Sequence, residues 1–222
     1  MENYIQTIYN EKERPITKYP CQLTKYLIDR FNLKPGSKIL DNGCGRGDFL
    51  EGFRVNGIDA YGCDLEISMV NKEGSQIIFG GVNFEKDKLP FPDDYFDLVF
   101  TKSVIEHIHN PSLFLKEMYR VLKPGGRIVV MVPDWYSCMY IFYDDCTHVQ
   151  PYTMVGLRDT LRMMGFQNVS SEIFYQLPCV WRYPIVKIVC KILPLLGPVK
   201  KIYKNKFMRF SRELMILGTG IK

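Results

Sequence analysis

No C-x-x-C pair occurs among the seven cysteines of this 222-residue chain, Cys21, Cys44, Cys63, Cys138, Cys146, Cys179 and Cys190. With Cys44 and Cys63 at the ends of apolar, strand-like runs, neither a disulfide framework nor a zinc site is expected. Cys138, Cys146 and His148 also lack the spacing of a zinc set, so no metal is expected. A membrane-spanning run is missing as well. The apolar stretch from Val180 to Val199 is broken by Lys187, Lys191 and Pro194, well short of the roughly 20 residues a bilayer requires. No secretory apolar region is visible in the polar stretch Met1 to Arg14, which carries Glu2, Glu11 and Glu13. The expectation is a cytoplasmic protein.

A further absence is local. From Ile173 to Arg212 there is no Asp or Glu but nine cations, Arg182, Lys187, Lys191, Lys200, Lys201, Lys204, Lys206, Arg209 and Arg212. The net charge of +5 therefore divides into a cationic region and a remainder near −4. Ile185, Ile188, Val189, Ile192, Leu193 and Leu196 would share one helical face beside these lysines. Such a face suits a lid over a substrate pocket or a peripheral membrane contact through residues 180–212. Nucleic acid is not expected as a partner, because aromatic residues are not interleaved with the cations in an RNA-binding pattern.

What is present is enough apolar residues, 46%, to bury a core for one α/β domain with an appendage. The organising stretch is Lys38 to Leu50, K-I-L-D-N-G-C-G-R-G-D-F-L. A short apolar strand ends at Asp41, and Gly43, Gly45 and Gly47 lead into a helix starting near Asp48. Glycines allow positive φ and a close approach of main chain to a ligand, and the helix start offers free N–H groups. Taken alone, this turn suits a dinucleotide fold equally well.

Along the chain, Leu23, Tyr26, Leu27 and Phe31 predict a helix over Cys21 to Phe31, after an arm covering residues 1–20. Strands are expected at Lys38–Asp41, Ile58–Asp64, Phe96–Thr101, Arg127–Val132, Phe166–Phe174 and Glu213–Thr219. A third strand falls across Gln76–Phe79 and Gly81–Phe84, interrupted at Gly80-Gly81. Helices are expected at Asp48–Val55, Ile67–Asn71, Pro111–Leu122 and Thr153–Met164, with Glu106-His107 opening one after the fourth strand. Two prolines make Leu89–Asp94 a loop, and Asp134–Gln150 is a long aromatic and polar loop of the kind that often serves function. Alternating strands and helices predict a doubly wound, mostly parallel α/β sheet of seven strands, with a helical C-terminal insertion before the last strand. Ligands then belong at the carboxyl ends of the strands, where Asp41, Asp64, Asn83, Phe84 and Ser103 fall.

Five blocks carry a family resemblance: I-L-D-N-G-C-G-R-G, Y-G-C-D-L-E, L-P-F-P-D-D-Y-F-D-L-V-F, S-V-I-E-H-I and V-L-K-P-G-G-R-I-V-V. In order and spacing they resemble class I S-adenosylmethionine-dependent methyltransferases of Rossmann-like fold, most closely over residues 37–132. The resemblance implies a single domain over 1–222. It would comprise an N-terminal arm and helix (1–34), a cofactor-binding core (37–132), a substrate-side region (133–179), a basic helical insertion (180–211) and a last strand (212–222). The implied cofactor is S-adenosyl-L-methionine. Asp41, Gly43, Cys44, Gly45 and Gly47 would face its methionine part, Asp64 and Leu65 its ribose, and Ser103 the sulfonium. Asn83 and the Phe84 N–H would meet adenine, with Glu85 the competing assignment; many relatives carry Asp where Asn83 stands.

The expected reaction moves a methyl group to a small molecule, foremost a hydroxyl of a sugar or of an anionic or lipid-linked intermediate. An oxygen acceptor must lose its proton, and His148 and His107 are the catalytic candidates, with Asp145 as orienter. Thr101-Lys102-Ser103-Val104 stands where adenine- or glutamine-directed enzymes carry [D/N]-P-P-[Y/F], which argues against that chemistry. C- or N-methylation, including of tRNA or protein, and a non-catalytic cofactor-binding subunit stay open as alternatives.

Overall fold

In a computed structural model of the chain, described here for residues 15–66, 77–183, 185–192 and 205–222, side-chain alternation along the central strands sorts the core into two layers. Ile39 of β1 (Lys38–Asn42), Leu98 and Phe100 of β4 (Phe96–Lys102), and Val129 and Met131 of β5 (Leu122–Pro133) face one side. There they bury Leu23 and Leu27 of α1 (Tyr19–Phe31) and Phe53 of α2 (Asp48–Arg54). Leu40, Val99, Ile128 and Val130 face the other side, against Phe114, Leu115 and Met118 of α3 (Pro111–Val121) and Leu157 and Leu161 of the later helix Met154–Met163. The period of two along a strand thus covers both faces of the sheet with helices.

The sheet contains seven strands in the order β3-β2-β1-β4-β5-β7-β6, with β2 at Asp59–Cys63, β3 at Ile77–Phe79, β6 at Gln167–Phe174 and β7 at Met215–Ile221. Strand β7 runs antiparallel to both β5 and β6, and the other pairings are parallel. Strand order reverses between β1 and β4, the topological switch point at which open α/β sheets bind ligands. Asp97 is the polar break in β4, and it is satisfied at the strand's start: Oδ2 accepts the Lys38 N–H at 2.8 Å and Oδ1 meets Lys123 Nζ at 2.6 Å.

Helix starts follow local chemistry. Asn110 caps α3, its side chain accepting the Ser112 N–H ahead of Pro111, and Thr153 caps α5 (Met154–Met163) through the Gly156 N–H. Several expectations need correction. Gly81–Phe84 is not strand: Gly81 has φ +76° and its N–H bonds Leu65 O, turning the chain back across the end of β2. Strand β5 begins earlier, at Leu122, because Leu122 pairs with Phe96 across an irregularity that takes up Lys123–Gly126. Glu106-His107 lies in a single 3-10 turn, Ile105–His107, not at a helix start. The expected Asp134–Gln150 loop contains α4 (Trp135–Cys138) and a 3-10 turn, Phe142–Asp144. The last strand lies two residues later than its expected Glu213–Thr219.

Within the basic region the described helices are α6 (Pro178–Arg182), α7 (Val186–Ile192) and α8 (Lys206–Phe210). The expected helix at Ile67–Asn71, residue Gln76, residues 1–14 of the arm, and residues 193–204 lie outside the described residues. Among the described residues no helix is long and apolar enough to cross a membrane.

Candidate active site

The glycine turn closes onto the end of β2. The Gly43 and Cys44 N–H groups both donate to Cys63 O, at 2.8 and 3.2 Å, and the Gly45 N–H donates to Asp64 Oδ2 at 2.7 Å. Gly43 sits at φ +89°, and a Cβ there would collide with the Val104 side chain. Gly45 sits at φ +52° with nothing within 4 Å of where a Cβ would stand, so the turn faces open space. Cys44 is buried against Gly62, and burial pushes its thiol far above the ordinary range. Leu65 is exposed beside this space.

Two carboxyls converge there. Asp41 is fully buried, and its Oδ2 has no hydrogen-bond partner. Burial first, then the nearby Asp64, hold it well above the usual carboxylate range, with Lys102 opposing. Burial raises Asp64 as well, against the N–H bonds it accepts from Gly45 and Glu66. Two crowded acids, one with an orphaned oxygen, call for a cationic ligand.

The residues assigned to adenine lie in the loop after β3. Asn83 Oδ1 already accepts the Glu85 N–H at 3.0 Å, and the Asn83 N–H donates to Asp87 Oδ2 at 2.8 Å. Phe84 packs on Phe114, 5.2 Å between ring centroids. The Glu85 carboxylate accepts from the N–H groups of His109 and Asn110, at 2.6 and 3.3 Å, which ties this loop to the start of α3. An amide oxygen has a second lone pair, so the bond to Glu85 leaves Asn83 able to accept once more.

Ser103, at the carboxyl end of β4, takes φ +56°, a conformation uncommon outside glycine, and its N–H is held by Met131 O at 2.9 Å. This bend sends the chain from β4 into the turn that carries Glu106 and His107. The Val149 and Gln150 N–H groups donate to Glu106 O, which draws the 134–150 segment onto the same turn. His107 and His148 come within 4.7 Å between ring centroids. Glu106, His107 and His148 each offer a ligand atom within 4.8 Å of the others'.

Glu106 is fully buried, with neither carboxyl oxygen hydrogen-bonded, and burial pushes it up to about 8. His148 Nδ1 lies 2.6 Å from Phe142 O, so it must carry the proton it donates. Asp145 orients His107 through an intermediary. Its Oδ1 accepts the Thr147 hydroxyl at 2.6 Å, and Thr147 Oγ1 lies 2.8 Å from His107 Nδ1. The hydroxyl of Tyr152 is buried nearby without a partner, and burial first and then Glu106 raise its pKa.

The expected site residues thus form two groups. Asp41, Gly43, Cys44, Gly45, Gly47 and Asp64 gather at the switch point, and His107 and His148 gather beyond Val104, whose side chain abuts Gly43. Lys102 joins the two electrically, since its charge acts on both Asp41 and Glu106. His109 does not join them; it is exposed beside Glu85. Reading the sequence missed Glu106 and Thr147 as site residues. The E-H pair of S-V-I-E-H-I was visible, but its burial depends on residues 149–150 folding back from more than forty positions away.

A strand-order reversal, an open glycine turn, a buried acid and a partly buried one beside it fit S-adenosylmethionine, whose ammonium would meet Asp41, whose sulfonium would lie by Ser103 and whose ribose would meet Asp64. When bound, this cofactor supplies a methyl group on a cationic sulfur. Together these features are those of the class I methyltransferase fold. Comparison with known proteins agrees. The chain belongs to the methyltransferase-domain family, whose model matches residues 9–171. It is 36% identical over 164 residues to phosphoethanolamine N-methyltransferase 3 of Arabidopsis thaliana, covering 68% of this chain and 33% of that protein. It is 35% identical over 117 residues to the ubiquinone/menaquinone biosynthesis C-methyltransferase UbiE of Vibrio parahaemolyticus, covering 48% of this chain and 45% of that one. The match therefore spans less than half the length of either relative. Among solved structures, a SAM-dependent methyltransferase from Archaeoglobus fulgidus has the same fold, with TM-score 0.67, 23% identity and 99% and 100% of the two chains covered. So does phosphoethanolamine N-methyltransferase 2 of Haemonchus contortus in complex with S-adenosyl-L-methionine, at TM-score 0.68, 16% identity, and 98% and 58% covered.

Proposed function

We propose that this protein methylates a hydroxyl group of a small molecule, and that the acceptor lies against Glu106, His107 and His148. The observation that carries this reading is that cluster, one turn beyond the donor pocket. A hydroxyl attacks a methyl group well only as it loses its proton, whereas an already neutral amine needs no such help. With Nδ1 engaged by Phe142 O, His148 has Nε2 left to take the acceptor's proton. Holding donor and acceptor in line supplies much of the remaining rate.

The acceptor side also favours an anionic or lipid-linked substrate met at a membrane surface. On α7 and just before it, Tyr183, Ile185, Ile188, Val189 and Ile192 are each more than half exposed, beside Lys187 and Lys191. Apolar side chains ringed by lysines suit an interface carrying anionic lipid. A second reading, N-methylation of a phosphate-bearing amine, draws on the relative named phosphoethanolamine N-methyltransferase and on the same cations. Incubation of the pure protein with a metabolite extract and a deuteromethyl-labelled donor separates these readings. The label is expected on oxygen; label on nitrogen or carbon alone overturns the proposal.

A further inference from the structure

We propose that Glu106, His107 and His148 hold a divalent metal ion, and that its open positions take oxygen atoms of the acceptor. This rests on the reading that the acceptor sits at the cluster, and it assigns the imidazoles to the ion.

Three features of the cluster support it. The first is the donor set. Two imidazoles and one carboxylate bind first-row ions such as Mn(II), Fe(II) and Zn(II) and leave positions open for exogenous ligands. The ligand atoms stand within 4.8 Å of one another. Around an ion at about 2.1 Å they would stand roughly 3–3.5 Å apart, a closure that small rotations of the rings and the carboxylate achieve.

The second is the support behind the rings. A carbonyl oxygen only accepts, so the 2.6 Å contact between His148 Nδ1 and Phe142 O fixes a proton on Nδ1 and leaves Nε2 as the atom that can bind an ion. Thr147 gives its hydroxyl proton to Asp145, so its Oγ1 and its carbonyl oxygen both accept from His107 Nδ1, at 2.8 and 3.2 Å. Each ring is therefore held by Nδ1 and oriented by an oxygen behind it, the arrangement that steers metal-binding histidines.

The third feature points to a ligand independently of the other two. Both oxygens of the fully buried Glu106 carboxyl lack a hydrogen-bond partner. A carboxylate buried in that state is poorly tolerated, and a divalent cation at the cluster would satisfy it. Lys102 is a neighbouring positive charge acting on Glu106. Asp145, behind His107 through Thr147, supplies a negative charge on the opposite side.

An ion here would do two things for an oxygen acceptor. It would fix the hydroxyl beside the turn that borders the donor pocket, and it would lower the pKa of that hydroxyl so that its proton passes to solvent near neutral pH. Acceptors with two adjacent oxygen donors would be preferred, since they can occupy two open positions.

The test uses the full-length protein stripped with chelator, titrated with Mn(II) and followed by loss of the free-ion electron paramagnetic resonance signal, with Zn(II) followed by calorimetry. One saturable ion per chain is expected, with E106Q and H148A each weakening binding at least tenfold. The His109→Ala variant, which alters an exposed imidazole outside the cluster, should bind as the wild type does. S-adenosylhomocysteine binding by the same variants reports that they are folded, and it tests the donor pocket separately from the metal. Absence of a saturable site for either ion, or unchanged binding in both E106Q and H148A, overturns the proposal.

Discussion

On one side of Val104 the donor pocket is made chiefly of main chain. The N–H groups of Gly43, Cys44 and Gly45 are spent on Cys63 O and Asp64, and positive φ at Gly43, Gly45 and Gly47 fixes the curve of the turn. On the other side the acceptor cluster is made of side chains, from one 3-10 turn and from a segment some forty residues later. Backbone geometry set by consecutive residues can be carried by a short motif. A cluster assembled from distant segments can change its chemistry one side chain at a time, while the donor half stays as it is.

The sharpest way to separate the two halves is to disable one and measure the other. His148→Ala should lower the turnover number by about 10²–10⁴-fold, the usual scale of help with an acceptor's proton, whether the ring takes that proton or holds the ion that acidifies it. Affinity for S-adenosylhomocysteine should stay within about twofold. A matching loss of cofactor affinity would mean that the two halves are not separable and that the ring supports the donor pocket.

Asp64→Ala is the reciprocal experiment. It removes the acceptor of the Gly45 N–H and the carboxylate assigned to the ribose hydroxyls. Two charge-assisted hydrogen bonds at about 1.5–3 kcal/mol each correspond to a loss of roughly 100-fold or more in cofactor affinity by calorimetry. The Mn(II) site at Glu106 and His148 should be unaffected. Wild-type cofactor affinity in this variant would remove Asp64 from the donor assignment.

The same division governs what could be read from the sequence. Strands β1, β2 and β4, the glycine turn and Asp64 were legible because each is specified by neighbours: apolar alternation for the strands, glycines for the turn, an acid at a strand end. Gly81–Phe84 was misread because Val82 and Phe84 have the apolar character of a strand, while the positive φ at Gly81, which breaks it, depends on the bond to Leu65 O. Glu106 was passed over for a related reason. Its neighbours do not reveal that it is buried or unpartnered; only the bonds from Val149 and Gln150 to its carbonyl close the segment over it. The role of Asp145 was half legible, since its action on His107 runs through the side chain of Thr147.

A smaller effect probes how the donor half stores its charge. Asp41 has its pKa raised well above the ordinary carboxylate range, mainly by burial. A raised value in the folded state means that its stabilising contribution is complete below the unfolded value and is lost as pH rises through the folded one. Near neutral pH the ligand-free protein therefore carries a penalty, and Asp41→Asn should melt higher than the wild type. The gain should be about 2–4 °C for each kcal/mol of penalty removed, narrowing as pH falls toward the ordinary carboxylate range. Cofactor affinity should drop about tenfold, the cost of one charge-assisted hydrogen bond. A variant that melts lower at pH 7 would show that Asp41 supports the fold, not the ligand.

The smallest expected effect concerns the basic region, where α7 buries only Cys190 among its side chains. If this face meets lipid, each isoleucine on it gives up part of its exposed apolar area, about 1 kcal/mol of the 1.5–3 available on full burial. Ile188→Ser should then weaken sedimentation with phosphatidylserine vesicles about fivefold. Lys191→Glu should act to a similar degree, because one basic residue near an anionic surface contributes about 1 kcal/mol. The two effects differ in their response to salt. The lysine's contribution should fade between low and physiological ionic strength as screening shortens to about 8 Å, whereas the isoleucine's should persist. Neither change touches the donor turn or the Glu106 cluster, so cofactor and Mn(II) binding should hold. Equal vesicle binding by both variants and the wild type would leave the exposed face of α7 to a role in solution, such as covering the acceptor.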